Sequence, residues 1–200
     1  MASQKRSTTR FLRELDLENF LEFYLKYDIP QSVVLMPSDE DNLELGPNHI
    51  FLPILAVIEG GVRFPLHPFL CKFFHKLKLA PSQVTVNVFR IVMDIARLNE
   101  GKAKATPISY EDIFGCYTLG YSKDTKRYYL GRRPGRQALF GGLPDTDKYG
   151  HEYMKVSGSF EPVDTQHPIP RVDGKIRKFR FGLCTLLLFP FTASIGRSLF

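Results

Sequence analysis

Gly60-Gly61-Val62-Arg63-Phe64-Pro65-Leu66-His67-Pro68-Phe69 opens the stretch, running to Asn99, whose reading decides the fold. Glycine takes positive φ at no steric cost, so Gly60-Gly61 ends whatever precedes it. Pro65 holds Phe64 extended. Pro68 suits the first turn of a helix, where its missing N–H is not needed. Phe69, Leu70, Phe73, Phe74 and Leu77 follow at helical spacing, with Lys72, His75 and Lys76 on the opposite side. Past Leu79-Ala80, Pro81 is a second start signal. Val84, Val88, Ile91, Val92, Ile95 and Leu98 then recur at helical steps, and Gly101 stands where a C-terminal cap would be. The spacing predicts a helical hairpin with an apolar seam.

On the N-terminal side, residues 1–15 are expected to be disordered. Asp16 is placed to cap a helix whose face is Leu17, Phe20, Leu21, Tyr24 and Leu25, ending at Ile29-Pro30. Val33-Val34-Leu35 suits a short strand or a buried extended piece. The acidic segment from Pro37 to Gly46 reads as a solvated loop. Asn48 is placed to cap a helix through Ile54-Leu55 to Glu59, with Pro53 disturbing its early part. On the C-terminal side, Gly101 to Thr106 reads as a polar linker, and Ser109-Tyr110-Glu111-Asp112 matches a capping box before Ile113-Phe114. From Cys116 the pattern becomes short, aromatic-rich runs between turn formers: Tyr117–Tyr121, Arg127–Leu130, Ala138–Phe140 and Glu152–Val156. These predict strands of a small antiparallel sheet. Helices first and strands later give an α+β fold, helical from about Asp16 to Cys116, with one domain over 16–170 and a poorly packed tail over 171–200.

The segments Gly-apolar-Arg-Phe-Pro-Leu-x-Pro-Phe, Ala80-Pro81-Ser82-Gln83-Val84 and Asn87-Val88-Phe89-Arg90 resemble the plant gypsy-type transposase (transposon) domain family. The resemblance runs from about Tyr27 to Arg171, through Tyr128-Tyr129-Leu130 and Leu143-Pro144-Asp145-Thr146-Asp147-Lys148. Where the family carries tryptophans, this chain has none, and Phe or Tyr stands near each place. The resemblance implies a retroelement-derived plant protein and no demonstrated transposase chemistry.

Composition bounds the function. An apolar fraction of 44% supplies a core for one domain. The three cysteines, Cys71, Cys116 and Cys184, are far apart and form no CxxC pair, which argues for a reducing compartment, nuclear or cytoplasmic. No apolar run follows the polar N-terminus, so secretion is not expected. The net charge of +6 is concentrated in the tail: from Arg171 onward six basic residues face Asp173 alone, leaving 21 basic and 20 acidic groups in the rest. The body is therefore close to neutral. The tail's apolar run, Phe181 to Phe191, is shorter than the roughly 20 residues of a membrane span. Its basic-plus-apolar layout leaves a membrane-surface anchor as one reading and non-native coding sequence as another.

Three groupings invite chemistry. His67, Cys71 and His75 fall on one helical stripe, but a rise of 1.5 Å per residue sets the outer pair roughly 12 Å apart, too far to share an ion. No metal or cofactor is expected. Gly131-Arg132-Arg133-Pro134-Gly135-Arg136 lacks the Gly-Lys-Ser/Thr ending of a phosphate loop and reads as a hairpin loop. Its charges, with Lys123, Lys126 and Arg127 around Tyr128 and Tyr129, make Lys126, Arg127, Arg132, Arg133 and Arg136 the candidate nucleic-acid contacts. Asp145 and Asp147 suit an Asx turn, and Ser157-Gly158-Ser159 has the wrong frame for a nucleophile elbow. No protease, polymerase or zinc-knuckle signature of a retroelement is present. The expected function is a non-enzymatic structural or assembly module that associates with itself or with other retroelement proteins. A nucleic-acid-binding accessory domain and a transposase fragment are the alternatives. A contiguous basic face would favour nucleic acid, converging carboxylates an enzyme, and an exposed apolar helix face assembly.

Overall fold

The computed structural model describes residues 17–38, 48–101, 106–144, 152–163 and 165–171. In chain order these form α1 (Leu17–Lys26), β1 (Val33–Ser38), β2 (Ile50–Pro53), α2 (Ile54–Ile58), α3 (Pro68–Leu77), a single 3-10 turn (Pro81–Gln83), α4 (Val86–Gly101), α5 (Tyr110–Cys116), β3 (Tyr117–Ser122), β4 (Arg127–Arg132) and β5 (Tyr153–Gly158). The fold is α+β.

The hairpin forms as the spacing requires. Pro68 occupies the first turn of α3, and the His67 ring caps it, its Nδ1 accepting the Phe69 N–H at 3.1 Å. Leu70, Phe73 and Phe74 are buried against Val88, Phe89, Ile91, Val92 and Ile95 of α4. Phe74 and Phe89 rings lie 5.5 Å apart, and Phe73 stacks on Phe114 of α5 at 6.0 Å. The two glycines ahead of the hairpin have different duties. Gly61 takes φ +73°, whereas a Cβ on Gly60 would stand 2.6 Å from the Ala56 carbonyl and 2.9 Å from Phe89 Cβ. At α5, Ser109 Oγ accepts the Asp112 N–H at 3.2 Å and Asp112 Oδ2 accepts the Ser109 N–H at 2.8 Å, the capping box expected there.

Several expectations are corrected. The stretch to Cys116 is not wholly helical: β1 covers the Val33–Leu35 run expected as a short strand, the unexpected β2 lies within it too, and both pair antiparallel with β5 in the order β1-β5-β2. The antiparallel structure is therefore two sheets, this one and the β3–β4 ribbon. Asn48 starts no helix. Ile50, Phe51 and Leu52 pair instead with residues of β5, and Pro53, lacking an N–H, marks the switch from strand to the five-residue α2. The second hairpin helix begins at Val86 and not at Pro81, since Val84 bridges Tyr128 and the Thr85 N–H donates to the Tyr128 carbonyl at 2.9 Å. Ala138–Phe140 is not a strand. Its three half-buried side chains pack on the core while the Phe140 N–H donates to the Tyr117 hydroxyl at 3.1 Å.

Helix α1 also turns differently from expectation. Phe23 and Tyr27 are buried, and Phe20 and Tyr24 are half-buried, whereas Leu21 and Leu25 are 63% and 83% exposed. Aromatic rings reach further into the core than leucine does and fix the helix rotation. The Tyr24 hydroxyl accepts the Leu35 N–H at 2.9 Å and donates to the Val33 carbonyl at 3.1 Å, so it occupies the outer edge of β1. Arg63 secures the arrangement, donating to the carbonyls of Val57 and Val62 while lying 5.1 Å from the Tyr27 ring centroid. The expected disordered N-terminus, the Asp16 cap, the Leu17 side chain, the bulk of the acidic loop, the core of the 101–106 linker, Asp145, Asp147 and the tail past Arg171 all fall outside the described residues.

Candidate functional site

The basic segment is built on the β3–β4 ribbon, in which Tyr117 pairs with Arg132 and Ser122 with Arg127. This register puts the hairpin tip at residues 123–126, where Lys126 takes φ +54° and the Thr125 N–H donates to Ser122 Oγ at 3.3 Å. Gly131–Arg136 is thus not the hairpin loop. It is the outgoing end of β4, turning at Pro134-Gly135 with the Arg136 N–H donating to the Arg133 carbonyl at 3.1 Å. Strands of six residues at about 3.4 Å per residue separate the two ends by about 17 Å. Lys126 sits at one end, Arg132 and Arg136 at the other.

Two of the five candidate cations have structural duties. Arg127 is buried, with its guanidinium 5.2 Å from the Tyr153 ring centroid. Arg133 Nε donates to the Phe114 carbonyl at 2.7 Å and to the Tyr117 carbonyl at 3.2 Å, satisfying acceptors left over at the C-terminus of α5. Lys126, Arg132 and Arg136 are exposed. The two tyrosines between them are also divided. Tyr128 is buried beside Tyr121, and burial first, then that neighbour, raises its phenol pKa. Tyr129 is exposed but lies over Gly120, where a Cβ would meet Tyr129 Cζ at 2.5 Å. A bound strand would find two exposed cations at each end of the ribbon, Lys123 with Lys126 and Arg132 with Arg136, and the exposed rings of Tyr121 and Tyr129.

The His67–Cys71–His75 stripe points three ways. His67 Nε2 lies 2.9 Å from Glu100 Oε1 while Nδ1 caps α3. Cys71 is fully buried, and desolvation, with the Glu161 charge secondary, pushes its thiol up to about 12. His75 Nδ1 lies 3.2 Å from the Pro168 carbonyl, and its Nε2 accepts from Lys78 Nζ at 3.3 Å. Among the described residues, no group of three or more His, Cys, Asp or Glu side chains is arranged to hold a metal ion. The carboxylates are dispersed as well. Glu111 pairs with Lys76 at 2.8 Å, Asp112 caps α5, Glu161 pairs with Arg171 at 3.2 Å, and Glu59 meets Arg90, which also donates to Asn87 at 2.7 Å.

The surface that the functional assignment of the sequence overlooked is apolar. Leu21 and Leu25 on α1, with Val34 at 48% and Met36 at 55% exposure on β1, stand open around the β1 edge. One signal was present: Val33 to Met36 is apolar at every position, so a strand there presents apolar side chains on both faces and the core takes only one. Among the described residues no helix is long and apolar enough to cross a membrane. Comparison of the chain with family models, with curated proteins and with solved structures finds no match in any of the three.

Proposed function

We propose that this chain is a non-enzymatic assembly module, of the kind carried by plant retroelement-derived proteins. The observation that carries the reading is the exposed apolar surface of Leu21, Leu25, Val34 and Met36. Exposed apolar side chains on two elements that Tyr24 joins suit a surface on which another molecule docks. The retroelement setting rests on the motif resemblance from Tyr27 to Arg171. The free thiols of Cys71 and Cys116 suit a reducing compartment, nuclear or cytoplasmic.

The rival is nucleic-acid binding through the ribbon, and its geometry weakens it: Arg127 and Arg133 are engaged within the fold, and the exposed cations lie at opposite ends. The test measures single-stranded RNA binding across a salt series by the full chain and by its Lys126→Ala/Arg132→Ala/Arg136→Ala variant. The expected result is weak binding, with a salt slope little changed by the substitutions. Each lost phosphate contact would lower the log–log slope by about 0.7. Sub-micromolar binding at physiological salt that the triple variant abolishes would overturn the assembly reading.

A further inference from the structure

We infer that the outer edge of β3 is a second docking surface, one that takes an acidic peptide as an added strand. It uses no residue of the α1–β1 surface and goes beyond the assembly reading.

The hydrogen-bond register of the ribbon carries the argument. The Arg133 N–H donates to the Cys116 carbonyl at 2.9 Å, in register with the ladder. Pairs alternate along an antiparallel ladder, so Thr118–Gly131, Gly120–Tyr129 and Ser122–Arg127 are the hydrogen-bonded ones. The backbone groups of Tyr117, Leu119 and Tyr121 therefore point away from β4. Tyr117 uses both of its own: its N–H donates to the Ile113 carbonyl, and its carbonyl accepts from Arg133 Nε. Among the described residues, the N–H and C=O groups of Leu119 and Tyr121 meet no hydrogen-bond partner.

The other outer edges are covered. On β1, the Tyr24 hydroxyl donates to the Val33 carbonyl and accepts the Leu35 N–H, and Pro37, the next residue facing that way, has no N–H. β2 is buried throughout, with the 3-10 turn packed beside it. β4 meets α4 and the Val84–Thr85 segment, whose Thr85 N–H donates to the Tyr128 carbonyl. β3 has neither a cover nor a Pro or charged residue between Tyr117 and Ser122 to deter an added strand.

Backbone pattern and charge name the occupant. An N–H and a C=O on one residue, repeated two residues further on, match another peptide backbone, whereas phosphates only accept and leave the carbonyls unanswered. Half-buried Leu119 and exposed Tyr121 lie on one face of this edge and offer an apolar shelf to alternate side chains of the incoming strand. Lys123 and Lys126 stand exposed at one end of the ribbon and Arg132 and Arg136 at the other, against Asp124 alone. A second copy joined edge to edge would set cations against cations at both ends, whichever way the strands ran. A peptide with carboxylates at alternate positions is attracted in either direction.

The test uses the full chain with two labelled octapeptides, one alternating Glu with Val and one alternating Lys with Val, and with oligouridylate as the nucleic-acid probe. Fluorescence anisotropy gives the affinity, and amide hydrogen exchange read by NMR gives the place. The Glu peptide is expected to bind at least about tenfold more tightly than the Lys peptide and to slow exchange at the Leu119 and Tyr121 amides by about fivefold or more. Tyr121→Pro removes one outward N–H at a position that makes no ladder bond, and should abolish binding. Tyr121→Val loses the ring but keeps the N–H, and should still bind. Lys123→Glu/Lys126→Glu/Arg132→Glu/Arg136→Glu should reverse the preference, a gain for the Lys peptide that misfolding would not produce. No binding of either peptide, equal affinity for the two, or protection elsewhere would overturn the proposal. Amides of Leu119 and Tyr121 that already exchange slowly without peptide would overturn it too, since the chain itself would then cover the edge. Oligouridylate that binds more tightly than the Glu peptide and displaces it would overturn it and assign the ribbon to nucleic acid.

Discussion

Helices α1 and α3 are each ten residues long and each amphipathic, yet the core treats them oppositely. α3 is enclosed: α4 covers one side, α5 another, and the segment around Pro168 crosses its C-terminal end through His75. Leu70, Cys71, Phe73 and Phe74 are all buried. α1 touches the body along a strip of Phe20, Phe23, Tyr27 and the edge-binding Tyr24, and leaves two leucines in water. Amphipathic spacing gives a helix a face that can be buried. How much of it is buried depends on how many other elements reach that face, and the difference is what leaves Leu21 and Leu25 of α1 in solvent.

The sharpest way to break this comparison is to truncate one side chain from each helix. Phe73→Ala should destabilise the fold by about 3–5 kcal/mol, because Phe73 is fully buried among Phe74, Tyr110 and Phe114 and its loss leaves a cavity. Leu25→Ala should change the stability of the monomer by about 0.5 kcal/mol or less. Denaturant midpoints at low protein concentration check both, and equal shifts would show that α1 is as much a core element as α3.

A smaller effect sharpens the account of how α1 is held. Tyr24→Phe keeps the ring but removes the hydroxyl that bonds Val33 and Leu35. Each such bond contributes about 0.5–1.5 kcal/mol, so a loss of about 1–2 kcal/mol is expected, with faster hydrogen exchange at the Leu35 amide. Unchanged exchange there would mean that α1 does not guard the β1 edge.

The smallest expected effect is a pH dependence confined to the α3 side. The His167 ring lies 5.2 Å from that of His75, and its Nδ1 is buried. Burial first, then the charges of His75, Lys72, Lys76 and Lys78, hold the His167 pKa below its ordinary 6.5. The unfolded chain therefore takes up this proton as pH falls through about 6.5 while the folded chain resists it, so stability declines on acidification in that window. Glu111 acts with the same sign but lower down. Its carboxyl is held at about 2, chiefly by the Lys76 hydrogen bond, and its contribution is present above 4.5 and lost as pH falls toward 2. Melting temperatures between pH 7.5 and 5 should thus fall less steeply for His167→Gln than for the wild type. Identical slopes would remove His167 as the cause. These pH values span its window and stay above that of Glu111.

Much of this architecture is legible in neighbouring residues. Pro68 starting α3, the Ser109–Asp112 box starting α5, the positive φ at Gly61 and the apolar seam of Phe73, Phe74, Ile91 and Ile95 each follow from groups within a few positions of one another. The β3–β4 ribbon is legible for the same reason, although its basic residues suggested a tip at Gly131–Arg136 where the register places it at 123–126. Of the candidate cations, sequence alone could not separate Arg132 and Arg136, which reach solvent, from Arg127 and Arg133, whose guanidinium groups meet partners far along the chain.

The sequence by itself determined the α+β class, the helical hairpin, the Pro68 start of α3 and the Ser109–Asp112 box of α5, because such starts and helical periodicity are short-range effects of φ preference, backbone donors and side-chain spacing. Tertiary structure decided the rest. β5 inserts between β1 and β2 from about 120 residues beyond the first and about 105 beyond the second, with Ser157 opposite Val34 and Val156 opposite Ile50, and nothing local to Ile50–Leu52 announces that partner. The same long-range packing chose Phe23 and Tyr27 over Leu21 and Leu25, since the aromatic rings fill space between α1, β1 and Arg63 that only the assembled fold creates. Leucines left outside by that choice, and the Glu22 and Lys26 beside them, became a surface only once the core was full.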